Sequence, residues 1–274
     1  MSPVQHIYKH LGSERLFYAW FASMHTRVDI ILSNRDEDEL VQITESIYKR
    51  LNTLEKIGNY FNPSSELSIV NNAGKGVPTI VSKSLLSMIE MCIYYNQKTD
   101  GYFDISIDSD HHSADTLKNV LISKKDLTIT LNKEGIKLNL SGFIKGYALD
   151  ETRKILETKG IDNALINIGN SSVLALGNHP LGDGWKVGID FPTTGGNREI
   201  VLNNECLTTS GNNTAQRKHI KSPYSGEYIE GIRGISVITD SAAEGEALST
   251  ALFAAEPEKR AEILKQFKAT VYNL

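Results

Sequence analysis

A lysine stands where a predicted strand ends and a predicted helix begins. The segment reads Asn139-Leu-Ser-Gly-Phe-Ile-Lys-Gly-Tyr-Ala-Leu-Asp150, and Lys145 lies in the first turn of that helix. The helix dipole disfavours a cation at this end by about 0.3–1 kcal/mol, so the arrangement makes sense if an anion lies between the ammonium and the main-chain N–H groups. The segment therefore indicates a phosphate-binding site, with a solvated surface lysine as the alternative.

A second candidate site lies near the carboxyl end, in the segment Ala243–Leu252. Glu246, Ser249 and Thr250 are spaced i, i+3 and i+4, so their oxygen atoms share one face of a predicted helix. One carboxylate with hydroxyl groups suits Mg²⁺, which binds one or two carboxylates and completes its shell with phosphate and water. The alternative is an ordinary structural helix on which these residues have no ligand.

Two turns add candidate binding residues. His219-Ile-Lys-Ser-Pro-Tyr-Ser-Gly226 contains a proline and a glycine three residues apart, which is typical of a tight turn. His219 and Lys221 could reach a nucleotide from it, or could flank an exposed loop. Asn167-Ile-Gly-Asn170 ends another strand, where Gly169 permits a close approach of the backbone.

The pair His111-His112 lies near Asp108 and Asp110 in the sequence. No helix or strand spacing directs these four side chains to one point. A flexible polar loop is therefore predicted here, in preference to a metal site.

Hydrophobic periodicity supplies the elements that must position these residues. Predicted helices cover 40–54, about 82–100, about 141–160, 242–254 and 257–267. Predicted strands begin near 16 and cover 26–32, 127–131, 136–140, 164–168, 173–176, 185–191, 200–202, 206–210 and 232–239. Successive strands with short turns favour an α+β fold with mixed or antiparallel sheets and packed helices. No linker divides residues 1–274, so one domain is expected, with a two-lobed shape left open.

Composition excludes several classes of protein. The 274 residues carry a net charge of −4 with no basic stripe, so nucleic acid is not an expected partner. No apolar run reaches the roughly 20 residues that a membrane-spanning helix needs. The first residues do not resemble a signal peptide, which predicts a cytoplasmic protein, or an exported one if a leader has been removed. Cys92 and Cys206 are expected to be buried thiols.

Six motifs in order make the chain resemble the ApbE family of FAD:protein FMN transferases along nearly its whole length. A single motif of this set has little specificity, whereas their order is specific. The matching segments are Met24-His-Thr26, 61–71 (Phe-Asn-Pro-Ser-Ser-Glu-Leu-Ser-Ile-Val-Asn), Gly101-Tyr-Phe-Asp104, the segment 139–150, the pair 209–211 and 219–226, and 245–251.

The resemblance implies an enzyme that binds FAD and Mg²⁺, breaks the pyrophosphate and transfers FMN to a threonine of an acceptor flavoprotein, releasing AMP. By position, Lys145, His219 and Glu246 are the implied catalytic residues. The implied metal ligands are Glu246, Ser249 or Thr250, and the main-chain carbonyl of Gly142. The implied FAD-binding residues are Met24, Phe61, Tyr102, Phe103, Asp104, Asn139, Lys145, His219 and Lys221.

The sequence departs from the family pattern at several of these positions. Glu246 replaces an aspartate and is one methylene longer, Asn139 replaces another aspartate, and His25 stands where a glycine is normal. Loss of carboxylates lowers the negative charge available to a cation. Two other functions therefore remain open: an FAD pyrophosphatase that yields FMN and AMP, and a noncatalytic flavin-binding protein.

Overall fold

An eight-stranded antiparallel sheet forms the centre of the molecule. The computed structural model describes residues 3–189, 198–216 and 218–274. The strand order is β1-β2-β3-β7-β8-β11-β12-β13, and every neighbouring pair is antiparallel. Its strands are β1 (Gln5–Leu11), β2 (Glu14–Ser23), β3 (Thr26–Ser33), β7 (Ala164–Ile168), β8 (Ser172–Leu176), β11 (Cys206–Asn212), β12 (Arg233–Thr239) and β13 (Thr270–Asn273).

Two smaller antiparallel sheets and the helices complete the described part of the chain. One small sheet has the order β4-β6-β5, and the other pairs β9 with β10. These strands are β4 (Thr79–Ile80), β5 (Val120–Ser123), β6 (Thr128–Leu131), β9 (Trp185–Ile189) and β10 (Arg198–Leu202). The helices are α1 (Glu37–Gly58), α2 (Glu66–Asn72), α3 (Lys83–Lys98), α4 (Ile144–Thr158), α5 (Ala242–Ala254) and α6 (Pro257–Leu264), with a 3₁₀ turn at Thr116–Asn119.

Strand β8 shows how the large sheet is buried on both faces. Leu174 and Leu176 belong to the main core, which contains the buried faces of the helices. Val173 and Ala175 point the other way, into a second cluster around Trp185 of the β9–β10 hairpin. Because side chains alternate along a strand, a strand buried on both faces reads as a continuous apolar run, as β8 does.

The predicted α+β class with antiparallel sheets and packed helices is confirmed. The five predicted helices are present, although the third begins at Ile144 and the last ends at Leu264. The predicted strand at 185–191 is present over Trp185–Ile189, and its last two positions lie outside the described residues. Both cysteines are buried free thiols, as expected.

The strand predicted at 136–140 is wrong. There the main chain of Leu138 exchanges hydrogen bonds with the Asn71 side chain, at 2.8 and 2.9 Å, and Asn139 N–H donates to the Ile105 carbonyl. A side-chain amide replaces the neighbouring strand, so the apolar alternation does not become a ladder.

Five strands and helices were not predicted from the sequence: β1, α2, β4, β5 and β13. Most residues of β1 are exposed, so this strand lacks an apolar alternation. Helix α2 has only seven residues, and β13 only four. No helix in the described ranges has the length and apolar character that a membrane crossing requires.

Candidate active site

A large polar cleft of about 1160 Å³ collects the predicted site residues. Its walls are formed by the β2–β3 turn, the β7–β8 turn, β11, the start of α4 and one face of α5. All of the predicted site residues except Ser249 line it: Met24, Phe61, Tyr102, Phe103, Asp104, Asn139, Gly142, Lys145, His219, Lys221, Glu246 and Thr250.

Lys145 and Glu246 meet inside this cleft. Lys145 Nζ lies 3.7 Å from Glu246 Oε1 and donates a hydrogen bond to Ser171 Oγ. Glu246 is almost fully buried, with 4% of its side chain exposed, and its Oε1 also accepts a hydrogen bond from Ser172. The start of α4 and the oxygen-bearing face of α5 therefore converge, as the resemblance stated from the sequence implied.

A glycine permits the two helices to approach so closely. A Cβ atom on Gly146 would lie 2.4 Å from the Ala242 carbonyl oxygen and 2.7 Å from Glu246 Cγ. Any side chain at this position would therefore push α5 away from α4. The glycine after Lys145 is thus required by the crossing that brings Lys145 and Glu246 together.

Hydroxyl groups form the floor beside Glu246. Ser210 Oγ lies 2.9 Å from Ser249 Oγ and 3.1 Å from Thr250 Oγ1. Ser249 is fully buried beneath the surface of the cleft, and its hydroxyl also donates to the Glu246 carbonyl. Thr250 faces the cleft, 4.0 Å from the position of a Cβ atom on Gly142. Of the two hydroxyls left open by the sequence, Thr250 is therefore the one that a ligand can reach.

The donor chemistry here fits a hard cation. The Glu246 carboxylate, the Thr250 hydroxyl and the main chain of Gly142 offer oxygen atoms, which Mg²⁺ prefers. In the described part of the chain, no three or more His, Cys, Asp or Glu side chains form a group that could hold a metal ion. Phosphate oxygens and water would have to supply the remaining ligands, which is usual for Mg²⁺ at nucleotide sites.

A second polar group lies at Asp108, which the sequence did not identify as a cleft residue. Lys221 Nζ donates to Asp108 Oδ1 at 2.7 Å, and Asn139 Nδ2 donates to Oδ2 at 2.9 Å. Burial alone would raise the pKa of Asp108, but the two hydrogen bonds outweigh it and hold the pKa below its ordinary value. A carboxylate thus lies directly beside Asn139, where the family pattern has an aspartate.

The 102–104 segment forms a wall rather than a set of free polar ligands. The Tyr102 hydroxyl donates to Glu256 at 2.6 Å, and burial followed by this carboxylate raises the pKa of Tyr102. The Asp104 carboxylate accepts hydrogen bonds from Ser106 and lies 2.9 Å from His112 Nε2. The contacts with Ser106 and His112 therefore occupy the Asp104 carboxylate before any ligand binds. His112 is also held in place, so the polar loop predicted at 111–112 is anchored at this residue.

Turns and loops supply the remaining predicted site residues of the cleft wall. Phe61 follows the end of α1 and is 75% exposed. Met24 and His25 form the whole turn between β2 and β3, and both have positive φ, of 54° and 57°. His219 and Lys221 line the cleft from the loop that precedes β12.

Some residues in the cleft wall or directly beneath it were missed because only the tertiary structure brings them together. Ser171 and Ser172 follow the Gly169-Asn170 turn and contact Lys145 and Glu246, respectively. The sequence signal that could have identified them is a pair of small hydroxyl residues at the start of a buried strand. Asp108 had no such signal, because its partners are distant in the sequence and the segment around it has no periodicity.

Comparison with known proteins identifies the family that the sequence resembles. The model of the ApbE family matches residues 24–272. The FAD:protein FMN transferase of Escherichia coli (strain K12) is 23% identical over 275 residues, covering 87% of this chain and 78% of that protein. The protein of the same name from Haemophilus influenzae is 24% identical over 280 residues, covering 88% and 78%.

Solved structures show the same fold. The flavin transferase ApbE from Vibrio cholerae superposes with a TM-score of 0.81 at 18% identity, covering 99% of this chain and 94% of that one. The apo form of the Pseudomonas stutzeri flavinyl transferase ApbE gives a TM-score of 0.83 at 18% identity, with coverages of 97% and 92%.

Proposed function

The chain belongs to the ApbE family, and we propose that it is a Mg²⁺-dependent flavin transferase that moves FMN from FAD to a threonine of an acceptor protein and releases AMP. The observation that carries this proposal is the 3.7 Å approach of Lys145 Nζ to Glu246 Oε1 within one large cleft. A cation-binding carboxylate and a phosphate-binding ammonium must lie in the same cleft to serve one diphosphate, and a bound ligand would take the place of their direct contact.

The start of α4 supplies the phosphate-binding side of the site. The start of α4 carries the positive end of the helix dipole, although the N–H of its first residue, Ile144, already donates to the Leu140 carbonyl at 2.9 Å. Lys145 adds a full positive charge that Ser171 holds in place. These groups bind a non-bridging pyrophosphate oxygen and stabilise the negative charge that develops during transfer.

The face of α5 supplies the cation-binding side. Glu246, Thr250 and the Gly142 carbonyl are the residues that would hold Mg²⁺. When bound, this ion neutralises charge on the pyrophosphate oxygens and fixes their position. Ser172 donates a hydrogen bond to the Glu246 carboxylate, and Ser210 lies within hydrogen-bond distance of the Thr250 hydroxyl. Both oxygen ligands of the cation therefore keep a defined orientation.

The transfer itself exchanges one P–O bond for another. The acceptor threonine oxygen attacks the phosphorus of the FMN half, and the bond from that phosphorus to the bridging oxygen breaks. AMP leaves with the bridging oxygen, and His219, which lines the cleft, accepts the proton of the threonine hydroxyl. Positioning and charge stabilisation dominate such reactions, which suits a cleft built from fixed helix ends.

A noncatalytic flavin-binding protein is the second candidate, and one contact favours it. The Glu246 carboxylate, the acidic member of the proposed cation site, is already engaged by Lys145 and Ser172. Its charge is therefore partly neutralised before any cation arrives. This candidate predicts FAD binding that a chelator does not affect.

Incubation of the protein with FAD, with and without Mg²⁺ and an acceptor protein, separates these functions. AMP release together with flavin that stays on the acceptor after denaturation is the result that we expect. AMP and free FMN without an acceptor would instead identify a pyrophosphatase. Bound, intact FAD under all conditions would identify the noncatalytic protein and contradict the proposal.

A further inference from the structure

The turn between β2 and β3 carries two residues whose backbone conformation is unfavourable for their side chains. Met24 and His25 both lie in the left-handed region, with φ of 54° and 57°. A two-residue hairpin turn of this kind prefers Asn and Gly, and other residues lose about 1–2 kcal/mol each there. Histidine tolerates positive φ better than most residues other than glycine, but the turn does not require its ring. Such strain is commonly retained where the side chain has a function.

Two side chains of the α1 end hold this turn and its ring. Glu55 Oε2 accepts the Met24 N–H at 2.6 Å, and Glu55 Oε1 lies 3.7 Å from His25 Nε2. Asn59 Oδ1 accepts the Phe61 N–H at 2.9 Å, which fixes the orientation of its amide. Asn59 Nδ2 therefore faces His25 Nε2, at 3.3 Å. In this assignment Nε2 accepts, and the ring proton lies on Nδ1.

The imidazole is oriented and yet open to the cleft. It lines the cleft with 76% of its side chain exposed, and the exposed ring of Phe61 belongs to the same end of the cleft. A ring that is held at one nitrogen keeps its faces and its other N–H for a ligand. Because little conformational freedom remains to be lost, such a ring gains more from binding.

We propose that His25 is a specificity-determining residue that contacts the planar heteroaromatic ring of the bound nucleotide. Its face stacks on that ring or its Nδ1–H donates to a ring acceptor, while Asn59 positions the imidazole and Glu55 positions the turn through the Met24 N–H. This inference rests on the proposed function, because it requires a nucleotide in the cleft. Either the flavin or the adenine of FAD offers the required ring, and the two are separable by experiment.

Binding of FMN and of AMP to wild type and to His25→Gly tests the proposal. Glycine suits positive φ, so the turn should survive the substitution. Loss of one ring contact weakens binding of one probe by about three- to tenfold. A loss for FMN places His25 at the flavin, and a loss for AMP places it at the adenine.

A matched control is available at His111. This histidine is also exposed and also has positive φ, of 52°, but it does not line the cleft. His111→Gly should relieve the same kind of backbone strain and leave both affinities unchanged. A general effect of removing strained histidines is thereby separated from an effect on the ligand.

Asn59→Ala tests the positioning role. It should weaken binding of the affected probe in wild type but have little further effect in His25→Gly, because Asn59 acts through the ring. An equal loss in both backgrounds would mean that Asn59 acts through Phe61, whose N–H it also accepts, and would overturn its positioning role. Equal affinities of wild type and His25→Gly for both probes would overturn this inference and leave the transferase proposal standing. Binding that depends on the His25 ring, without AMP release from FAD, would support this inference and contradict the transferase proposal. A wild type that binds neither FMN nor AMP would contradict both.

Discussion

Asp150 in α4 accepts a hydrogen bond from the Ser241 hydroxyl at 2.7 Å, at the N-cap of α5. The same carboxylate accepts the N–H groups of Ala242 and Ala243, at 2.9 and 3.0 Å. One side chain of α4 thus binds the first turn of α5, where an anion is also favoured by the helix dipole. This junction fixes the position of α5, and with it the distance between Lys145 and Glu246.

The substitution Asp150→Asn should therefore loosen the site without entering it. Asparagine retains one acceptor oxygen but loses the charge, so we expect the free energy of unfolding to fall by about 1–3 kcal/mol. FAD affinity should fall as well. Urea denaturation and FAD titration measure the two effects. Asp162→Asn is the control, because that exposed side chain makes no hydrogen bond within the ranges the structure describes. Unchanged stability would refute the proposed junction.

Removing the ammonium of Lys145 should weaken FAD binding. A hydrogen bond from a charged donor contributes about 1.5–3 kcal/mol, so Lys145→Ala should raise the Kd for FAD by roughly 10- to 100-fold. Lys159→Ala, at the opposite end of the same helix, should leave the Kd unchanged. Isothermal titration with FAD and Mg²⁺ gives both values. An unaltered Kd in Lys145→Ala would exclude this lysine from phosphate binding.

Shortening Glu246 by one methylene should improve the cation site. Aspartate would withdraw the carboxylate from Ser172 and Lys145 and leave it available to Mg²⁺. We expect Glu246→Asp to raise Mg²⁺-dependent AMP release by up to about tenfold, which is about 1.4 kcal/mol. Glu244→Asp on the same helix, whose parent carboxylate pairs with Lys98, serves as the control. A lower rate in Glu246→Asp would mean that the longer side chain is needed.

The contribution of Asp108 to stability should depend on pH. Its folded pKa lies below the ordinary value of 3.8 because the hydrogen bonds from Lys221 and Asn139 outweigh burial. Its stabilising effect is therefore fully present above that ordinary value and is lost as the pH falls through the folded pKa. Asp108→Asn should destabilise the protein at pH 7 and progressively less below pH of about 4. Urea denaturation across this range is the measurement, and a constant difference would contradict it.

The resemblance to the ApbE family, carried by six motifs in order, implied that Lys145 and Glu246 serve one site, which neither motif predicts alone. Each motif lies at or near the start of a helix, so the sequence indicates which polar groups are close together within that motif. The spacing of Glu246 and Thr250 on one helix also fixes their common face. The spacing from Glu246 to Thr250 covers about one turn of helix, and helix geometry is nearly the same in every protein.

Other long-range contacts, which none of the six motifs carries, could not be predicted. The bonds of Asp108 to Lys221 and of Ser172 to Glu246 join residues on separate elements. The failed strand at 136–140 has the same origin, because the Asn71 amide takes the place of a neighbouring strand. Sequence periodicity indicates which face of an element is buried, but not which polar group will meet it there.

A crystal structure of the protein with FAD and Mg²⁺ tests the central claim most directly. The account predicts that the pyrophosphate lies between Lys145 and the start of α4 on one side and Glu246 with Thr250 on the other. It also predicts a cation that contacts Glu246 and the phosphate oxygens. A pyrophosphate bound elsewhere, with the Lys145–Glu246 pair undisturbed, would contradict it.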